Sequence, residues 1–201
     1  EAIANKNEAL YGRRHDPDAE ITITAGATQA LMSAILALVH SGDEVIVLEP
    51  VYDSYVPAIV LAGGRPVFVP LDHAHGYAPH WDAVRAAVTG KTRLLLINFP
   101  HNPTGRVLRD ADISALERLV DQTGVLLISD EVYEHVVFDR VPHRSVMRSP
   151  MLAARSVVIS SFGKTFHTTG WKVGYACAPA PISAEIRKVH QFMVFAVNTP
   201  A

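Results

Sequence analysis

Apolar residues recur every three or four positions from Ala27 to Leu38, which predicts a helix with one buried stripe. The stripe comprises Ala27, Ala30, Leu31, Ala34, Ile35 and Leu38. Ser41 and Gly42 follow this helix, and glycine is favoured where a helix ends. The next apolar residues, 45–48, are continuous rather than periodic, which is typical of a short strand covered on both faces.

The same alternation of periods continues along the chain. Further helices are predicted at 1–10, 54–61, 81–88, 110–122 and 183–197, and further strands at 67–71, 94–97, 125–128, 157–160 and 174–178. Strands separated by helices form crossover units, which predicts an α/β fold, a three-layer α/β/α sandwich with a mostly parallel sheet. No internal repeat or linker divides residues 1–201, and the Pro/His/Arg-rich stretch 140–150 is predicted to be a surface loop.

Composition narrows the class of protein. The 201 residues are 49% hydrophobic and 19% charged, enough to bury a core, and the formal net charge of −2 gives no reason to expect nucleic acid or an anionic membrane as a partner. The longest apolar stretches fall short of the roughly 18 residues that a bilayer span needs, so we expect no membrane protein. A single cysteine excludes an internal disulfide, and without a signal-peptide pattern the expected compartment is the cytoplasm.

Polar side chains follow several of the predicted strands. Asn98, Asn102, Asp130, Ser161 and Lys164 each come shortly after the last apolar residue of a strand. In parallel α/β sheets, ligands bind beyond the carboxyl ends of the strands, where loops and helix amino-termini meet. The functional site is therefore predicted at this edge of the sheet.

Gly163, Lys164 and Thr165 follow a strand, as in the phosphate-binding loops of nucleotide hydrolases. Such a loop needs a second glycine upstream so that successive backbone amides can surround a phosphate, but Ile159 and its neighbours continue the strand. The strand that ends in Asp130 also precedes the lysine strand instead of following it. A phosphohydrolase using Lys164 and Asp130 is therefore a remote alternative, and no G-x-G-x-x-G or G-x-S-x-G segment supports a dinucleotide or hydrolase site.

Lys164 is more readily interpreted as a nucleophilic amine. Lysine forms Schiff bases with carbonyl compounds, and with pyridoxal 5'-phosphate it both anchors the cofactor and moves protons. The pyridinium nitrogen of that cofactor needs a carboxylate, for which Asp130 is placed, and the phenolic oxygen needs donors, for which Asn102 and Tyr133 are placed. The cofactor ring needs an aromatic face, which Tyr52 can supply.

The phosphate of this cofactor needs a helix amino-terminus and a cation. Ala27 and Thr28 open the most regular of the predicted helices, and Lys172 supplies a cation further along the chain. Each requirement of the cofactor thus has a candidate at the same edge of the sheet. His73 and His75 are spaced like metal ligands, but they lie in a loop rich in Asp, Gly and Pro, so we expect no metal site.

Five motifs occur in an order and spacing that match one protein family. They are TAGATQAL at 24–31, EPVYDSY at 49–55, NFPHNPTG at 98–105, SDEVYEH at 129–135 and SFGKTFHTTGWKVGY at 161–175. With these motifs the chain resembles, over essentially all 201 residues, the pyridoxal-phosphate-binding large domain of class I/II (fold type I) aminotransferases. It is most similar to the branch of methionine and kynurenine aminotransferases.

The resemblance implies a role for each residue around the cofactor ring. Lys164 would form the Schiff base with pyridoxal phosphate and transfer the proton, and Asp130 would pair with the pyridinium nitrogen. Tyr133 and Asn102 would hydrogen-bond the phenolic oxygen, and Tyr52 would stack on the ring.

The resemblance also implies how the phosphate is held. The backbone at Ala27 and Thr28 and the side chains of Ser161 and Lys172 would bind it. Elsewhere in the site, Asn98 would contact the cofactor directly or support the residues that do. Much of the superfamily has arginine at the position of Lys172, and lysine keeps the charge but loses the bidentate geometry.

The activity that the resemblance implies is transfer of an amino group from an amino acid to a 2-oxo acid. Methionine, aromatic or other bulky apolar amino acids are the expected substrates, and a homodimer is the expected assembly. Residues 1–201 would be the large domain, with an amino-terminal arm and a carboxy-terminal small domain outside them, so we expect these residues alone to be unable to transaminate. A lyase or racemase on the same fold, or an incompetent cofactor-binding fragment, are the alternatives.

Overall fold

Seven strands form one sheet in the computed structural model, which describes residues 1–199. They are β1 (Ile21–Thr24), β2 (Glu44–Glu49), β3 (Arg65–Pro70), β4 (Thr92–Asn98), β5 (Leu126–Asp130), β6 (Ser156–Ser161) and β7 (Gly174–Cys177). Their order is β1-β7-β6-β5-β4-β2-β3. Neighbouring strands from β3 to β6 pair parallel, whereas β7 is antiparallel to both β6 and β1. The prediction of a mostly parallel sheet is confirmed.

Helices cover both faces of the sheet. They are α1 (Ala2–Tyr11), α2 (Gly26–Leu38), α3 (Tyr55–Leu61), α4 (Trp81–Ala86), α5 (Asp110–Thr123), α6 (Pro150–Ala153), α7 (Phe162–Thr165) and α8 (Ala180–Met193), with single 3₁₀ turns at His73–His75, Val146–Arg148 and Thr169–Trp171. Residues of α2, α3 and α8 belong to one apolar core, and residues of α4, α5 and α6 belong to another. Within residues 1–199, none of the helices has the length and apolar character of a membrane span.

Alternate residues of the central strands enter the two cores. Val45 and Val47 of β2 pack towards α2 and α8, whereas Ile46 and Leu48 pack towards α5. Successive side chains of a strand point to opposite faces, so a strand covered by helices on both sides needs apolar residues at every position. This explains why the buried strands appear in the sequence as continuous apolar runs, and it confirms the α/β/α sandwich.

Three local expectations differ from the structure. Strand β1, Ile21–Thr24, was not predicted, because its alternating Ile and Thr residues form too short a pattern to stand out. Helix α8 ends at Met193 instead of 197. The prediction of a surface loop at 140–150 is wrong at Val146 and Met147, because both residues are buried. The Val146 N–H also donates to the buried Glu131 carboxylate at 3.2 Å.

Candidate active site

The carboxyl ends of β4, β5 and β6 and the amino-terminus of α2 surround a cavity of about 280 Å³. All ten residues singled out in the sequence line it: Ala27, Thr28, Tyr52, Asn98, Asn102, Asp130, Tyr133, Ser161, Lys164 and Lys172. They come from five separate stretches of the chain, so the fold brings together what the sequence only places at strand ends. Their roles toward a cofactor stay predictions.

Asp130 is the acidic group of the cavity. It is the last residue of β5 and only 3% exposed. Its Oδ2 accepts a hydrogen bond from the Tyr55 hydroxyl at 2.6 Å, and its Oδ1 accepts one from the Val132 N–H at 3.2 Å. Burial raises the pKa of Asp130 to about 6, and these two hydrogen bonds oppose part of the rise.

Tyr55 is a site residue that the sequence analysis missed. It is the first residue of α3, it is buried, and its ring lies edge-on to that of Tyr52 at 5.5 Å between centroids. Burial and the neighbouring Asp130 carboxylate raise the pKa of Tyr55 well above its ordinary value, so the hydroxyl keeps its proton and acts as a donor. Tyr52 is more exposed and presents its ring to the cavity.

Asn98 lines the cavity and also connects the ends of β4 and β5. Its Nδ2 donates to the backbone oxygen of Asp130 at 3.0 Å, and its Oδ1 accepts from the Asn102 N–H at 2.9 Å. Asn98 and Asp130 are also partners in the register of β4 and β5. Asn98 therefore fixes Asn102 relative to Asp130, which favours the supporting role of the two considered from the sequence.

Lys164 lies on α7, the short helix that follows β6 directly. Its Nζ is 5.6 Å from the centroid of the Tyr133 ring, a distance at which an ammonium group is attracted by an aromatic face. Tyr133 comes from the loop after β5, so the lysine and the tyrosine reach the cavity from neighbouring strands. This arrangement leaves the amine within reach of a carbonyl compound in the cavity.

One corner of the cavity lies where α2 begins. Helix α2 has no acidic residue in its first turn and no side-chain cap, so its first backbone N–H groups remain free to bind an anion. Lys172 covers this turn, with its Cδ 3.3 Å from the position that a Cβ of Gly26 would occupy. Ser161, at the end of β6, lines the same cavity.

Gly174 allows this corner to form. A Cβ at this position would lie 2.8 Å from both Ala27 N and Gly26 C and 2.9 Å from Ser160 O, all backbone atoms that cannot move aside. Only glycine therefore lets β7 approach the start of α2 so closely. Gln29 also helps to hold the turn, because its Oε1 accepts the Ala25 N–H at 3.2 Å.

The fold and the site together define a class of protein: an α/β domain whose sheet edge combines an uncapped helix amino-terminus, a buried carboxyl group and an accessible lysine. Within residues 1–199 no group of three or more His, Cys, Asp or Glu side chains is placed to hold a metal ion.

Comparison with known proteins identifies the family. The family model for aminotransferase class I and II matches residues 1–201, and the chain belongs to this family. It is 54% identical over 201 residues to methionine aminotransferase of Escherichia coli K12, covering 100% of this chain and 52% of that protein. It is 42% identical to a probable N-succinyldiaminopimelate aminotransferase of Mycobacterium tuberculosis, covering 99% of this chain and 50% of that protein.

Solved structures agree with the family. An Escherichia coli protein whose structure was described with a methionine aminotransferase function superimposes with a TM-score of 0.97 at 53% identity, covering 100% of this chain and 53% of the other. An aromatic aminotransferase from Pyrococcus horikoshii superimposes with a TM-score of 0.94 at 37% identity, covering 98% and 52%. The chain thus spans about half the length of the relatives it matches, and the resemblance stated from the motifs is confirmed.

Proposed function

We propose that this chain is the cofactor-binding part of an aminotransferase that uses pyridoxal 5'-phosphate to move an amino group from an amino acid to a 2-oxo acid. The observation that carries the proposal is the convergence of Lys164, Asp130 and the anion-binding start of α2 on one cavity. Family membership supports the same activity.

The residues present fit this cofactor at both of its ends. Asp130 is a buried carboxyl group that makes no ion pair with a Lys, Arg or His side chain in the described chain, and the ring N–H of a pyridinium would supply its missing cation. At the other end, the free N–H groups of Ala27 and Thr28, the Ser161 hydroxyl and the Lys172 ammonium match a phosphate.

The chemistry divides between the cofactor and the protein. Pyridoxal phosphate, when bound, supplies an aldehyde that condenses with amines and a ring that withdraws electrons from the carbon bearing the amine. Lys164 Nζ anchors it and removes or returns the proton at the α-carbon of the substrate. Asp130 would hold the ring N–H, Tyr133 and Asn102 would donate to the phenolic oxygen, and Tyr52 would cover the ring.

Two of the relatives support a substrate class. We propose methionine, aromatic or other bulky apolar amino acids as amino donors, because the relatives at 54% and 37% identity are described as methionine and aromatic aminotransferases. The site also suits a lyase or racemase, because those reactions share the cofactor residues and differ in the groups that hold the substrate. The test must therefore score deamination, elimination and racemisation separately.

An amino-acid panel assay on the protein at its natural length tests the proposal. We expect 2-oxo acid formation from methionine or aromatic amino acids, and a borohydride-trapped cofactor adduct on the peptide that contains Lys164. Lys164→Ala should abolish both, whereas Lys188→Ala, which removes an exposed lysine of α8, should change neither. Absence of the trapped adduct in the wild-type protein would overturn the proposal.

A nucleotide-binding measurement on the same protein tests the phosphohydrolase alternative. In a nucleotide hydrolase Lys164 would belong to a loop opening a long helix, but α7 ends at Thr165 after four residues. We therefore expect no magnesium-dependent binding of nucleoside triphosphates, measured by calorimetry with and without the metal.

We also propose that the working protein is a homodimer. Tyr52, Lys164 and Lys172 are all exposed in a single chain, so one side of the cavity is open and can receive residues from a second copy. Light scattering on the active protein at its natural length should give twice the mass of one chain, and a fully active monomer would contradict this.

A further inference from the structure

A buried polar cluster lies behind the Tyr133 loop, outside the cavity. Its centre is Glu134, whose side chain is 3% exposed. Glu134 accepts hydrogen bonds from Lys6 Nζ at 2.5 Å, from the Tyr11 hydroxyl at 2.5 Å, from the Ser160 hydroxyl at 2.6 Å and from the Tyr175 hydroxyl at 3.3 Å. None of these five residues lines the active-site cavity.

Apolar packing could hold this part of the fold without a buried charge. Moving a carboxylate and an ammonium out of water costs several kcal/mol per ion, and apolar residues of similar volume serve a fold at least as well. Burial acts to raise the pKa of Glu134, but Lys6 and the hydrogen bonds from Ser160 and Tyr11 outweigh burial and lower it, so the group stays ionised. The cluster therefore holds an ionised carboxylate at a fixed place between the two loops, which suits a geometric role.

The cluster joins the two chain segments that carry opposite parts of the site. Glu134 directly follows Tyr133, and Ser160 directly precedes Ser161 on the way to Lys164. The Ser160–Glu134 hydrogen bond links two residues that are 26 apart in sequence, from the end of β6 to the loop after β5. Across this link Lys164 Nζ lies 5.6 Å from the Tyr133 ring centroid.

The partners of Glu134 also restrain the lysine segment from a second side. The ring of Phe162, the first residue of α7, lies 5.6 Å from that of Tyr175. Tyr175 in turn accepts a hydrogen bond from Lys6 at 2.8 Å. The residues on both sides of Ser161 are therefore connected to Glu134, one directly and one through an aromatic contact.

We propose that Glu134 is a positioning residue, which holds Tyr133 in register with Lys164 through the Ser160 hydroxyl. Glu134 does not line the cavity, and it acts by fixing where the phenol of Tyr133 and the amine of Lys164 lie relative to each other. Its consequence for cofactor binding rests on the proposed function, whereas its effect on the Tyr133–Lys164 geometry does not.

Two substitutions test the link, and each has a matched control. Ser160→Ala removes the donor from the end of β6, and Ser156→Ala removes an equally buried hydroxyl at the start of the same strand, where it donates to Leu152 O at 2.6 Å. Glu134→Gln removes the charge, and Glu44→Gln does the same to a buried carboxylate at the start of β2. Both controls lie at the edge of the sheet opposite the cavity.

Two readouts are measured on all four variants of the protein at its natural length, together with thermal unfolding. The dissociation constant for pyridoxal phosphate should rise about tenfold in Ser160→Ala and Glu134→Gln and stay unchanged in the controls. A factor of ten corresponds to the free energy of one hydrogen bond to a charged group. In the cofactor-free protein, acylation of Lys164 relative to Lys188 should rise about threefold in the same two variants, because the ammonium loses its aromatic neighbour.

The outcomes separate the positioning role from a purely structural one. If all four variants weaken cofactor binding in proportion to their loss of thermal stability, or if Lys164 acylation in Ser160→Ala equals that of the wild type, the proposal is wrong. If the wild-type protein binds no pyridoxal phosphate but Lys164 acylation still rises only in the two test variants, the positioning role holds and the proposed function fails.

Discussion

At the scale of single residues, the carboxyl group of Asp130 has a pKa of about 6, raised by burial from its ordinary value of 3.8. Between these two pH values the folded chain binds more protons than the unfolded chain, so the free energy of unfolding falls as the pH rises. Above pH 6 the loss of unfolding free energy is complete, and the difference between the two pKa values corresponds to a loss of about 3 kcal/mol. A bound pyridinium would compensate this cost, since it supplies the missing positive charge.

Asp130→Asn should therefore stabilise the cofactor-free protein at pH 8 by up to about 3 kcal/mol while it weakens binding of pyridoxal phosphate. An amide can still accept the Val132 N–H and donate to the Tyr55 oxygen. Urea unfolding at pH 8 and near pH 3.5 measures the effect, and the gain should vanish at the lower pH. Asp121→Asn, at an exposed position of α5, is the control, and an equal gain there would refute the prediction.

Tyr55→Phe should destabilise the cofactor-free protein at pH 8, in contrast to Asp130→Asn. Without the 2.6 Å hydrogen bond, the carboxylate loses a donor that holds its pKa down, so its pKa rises further and the protein loses about 1.5–3 kcal/mol at pH 8. The pH at which the stability stops falling should also move upwards in urea unfolding, because that limit follows the folded-state pKa of Asp130. Tyr52→Phe, which leaves this bond intact, serves as the control, and an identical pH profile for both variants would contradict the role of Tyr55.

At the scale of elements, the sequence pattern predicts those strands and helices whose burial is uniform. β4 and β5 are apolar at nearly every position, and α5 has a regular stripe, so their patterns are unambiguous. β1 escapes notice because its four residues are stabilised by pairing with β7, a contact made between distant parts of the chain. The end of α8 is overestimated because Phe192 and Phe195 continue an apolar pattern, although both are highly exposed.

The residues of the site also differ in how far the sequence predicts them. The residues at strand ends can be found from the sequence, because the fold class dictates where they meet. Tyr55 and Glu134 cannot, since their partners Asp130 and Lys6 are 75 and 128 residues away and a lone tyrosine or glutamate carries no local signal. Sequence therefore indicates the groups that face a ligand, while the groups that hold them are visible only in the packed structure.

Gly174→Ala should damage the junction between β7 and α2. The added methyl group would lie 2.8–2.9 Å from three backbone atoms, so the strand or the helix must shift, at a cost of about 1–3 kcal/mol. Because the shift moves the N–H groups of Ala27 and Thr28, affinity for pyridoxal phosphate should fall as well. Gly170→Ala is the matched control, since no atom lies within 4 Å of its Cβ position. Equal thermal stability of the two variants would refute the prediction.

At the scale of the whole molecule, the sheet and helix α1 are held by different forces. Two apolar cores clamp the sheet between its helices, whereas α1 buries only Ala4, Asn7 and Tyr11. Much of its attachment is polar, through the bonds of Lys6 and Tyr11 to Glu134. The pKa of Glu134 is lowered from its ordinary 4.5, so this attachment is complete above that pH and weakens as the pH falls through the folded-state pKa.

Lys6→Met should therefore leave the Glu134 carboxylate buried without its cation and destabilise the protein at pH 7 by about 3 kcal/mol. This value is near the lower bound for breaking a buried ion pair, because the Lys6 side chain is 26% exposed. The loss should shrink below pH 4.5, where the carboxylate takes up a proton, and Lys6→Met/Glu134→Gln should recover most of it at pH 7. Arg14→Met, which breaks an exposed pair between the segment after α1 and Glu8 of that helix, should destabilise the protein much less. Urea unfolding at both pH values measures each variant, and amide exchange should show α1 losing protection before β4 and β5. A pH-independent loss in Lys6→Met would show that α1 is held by packing alone.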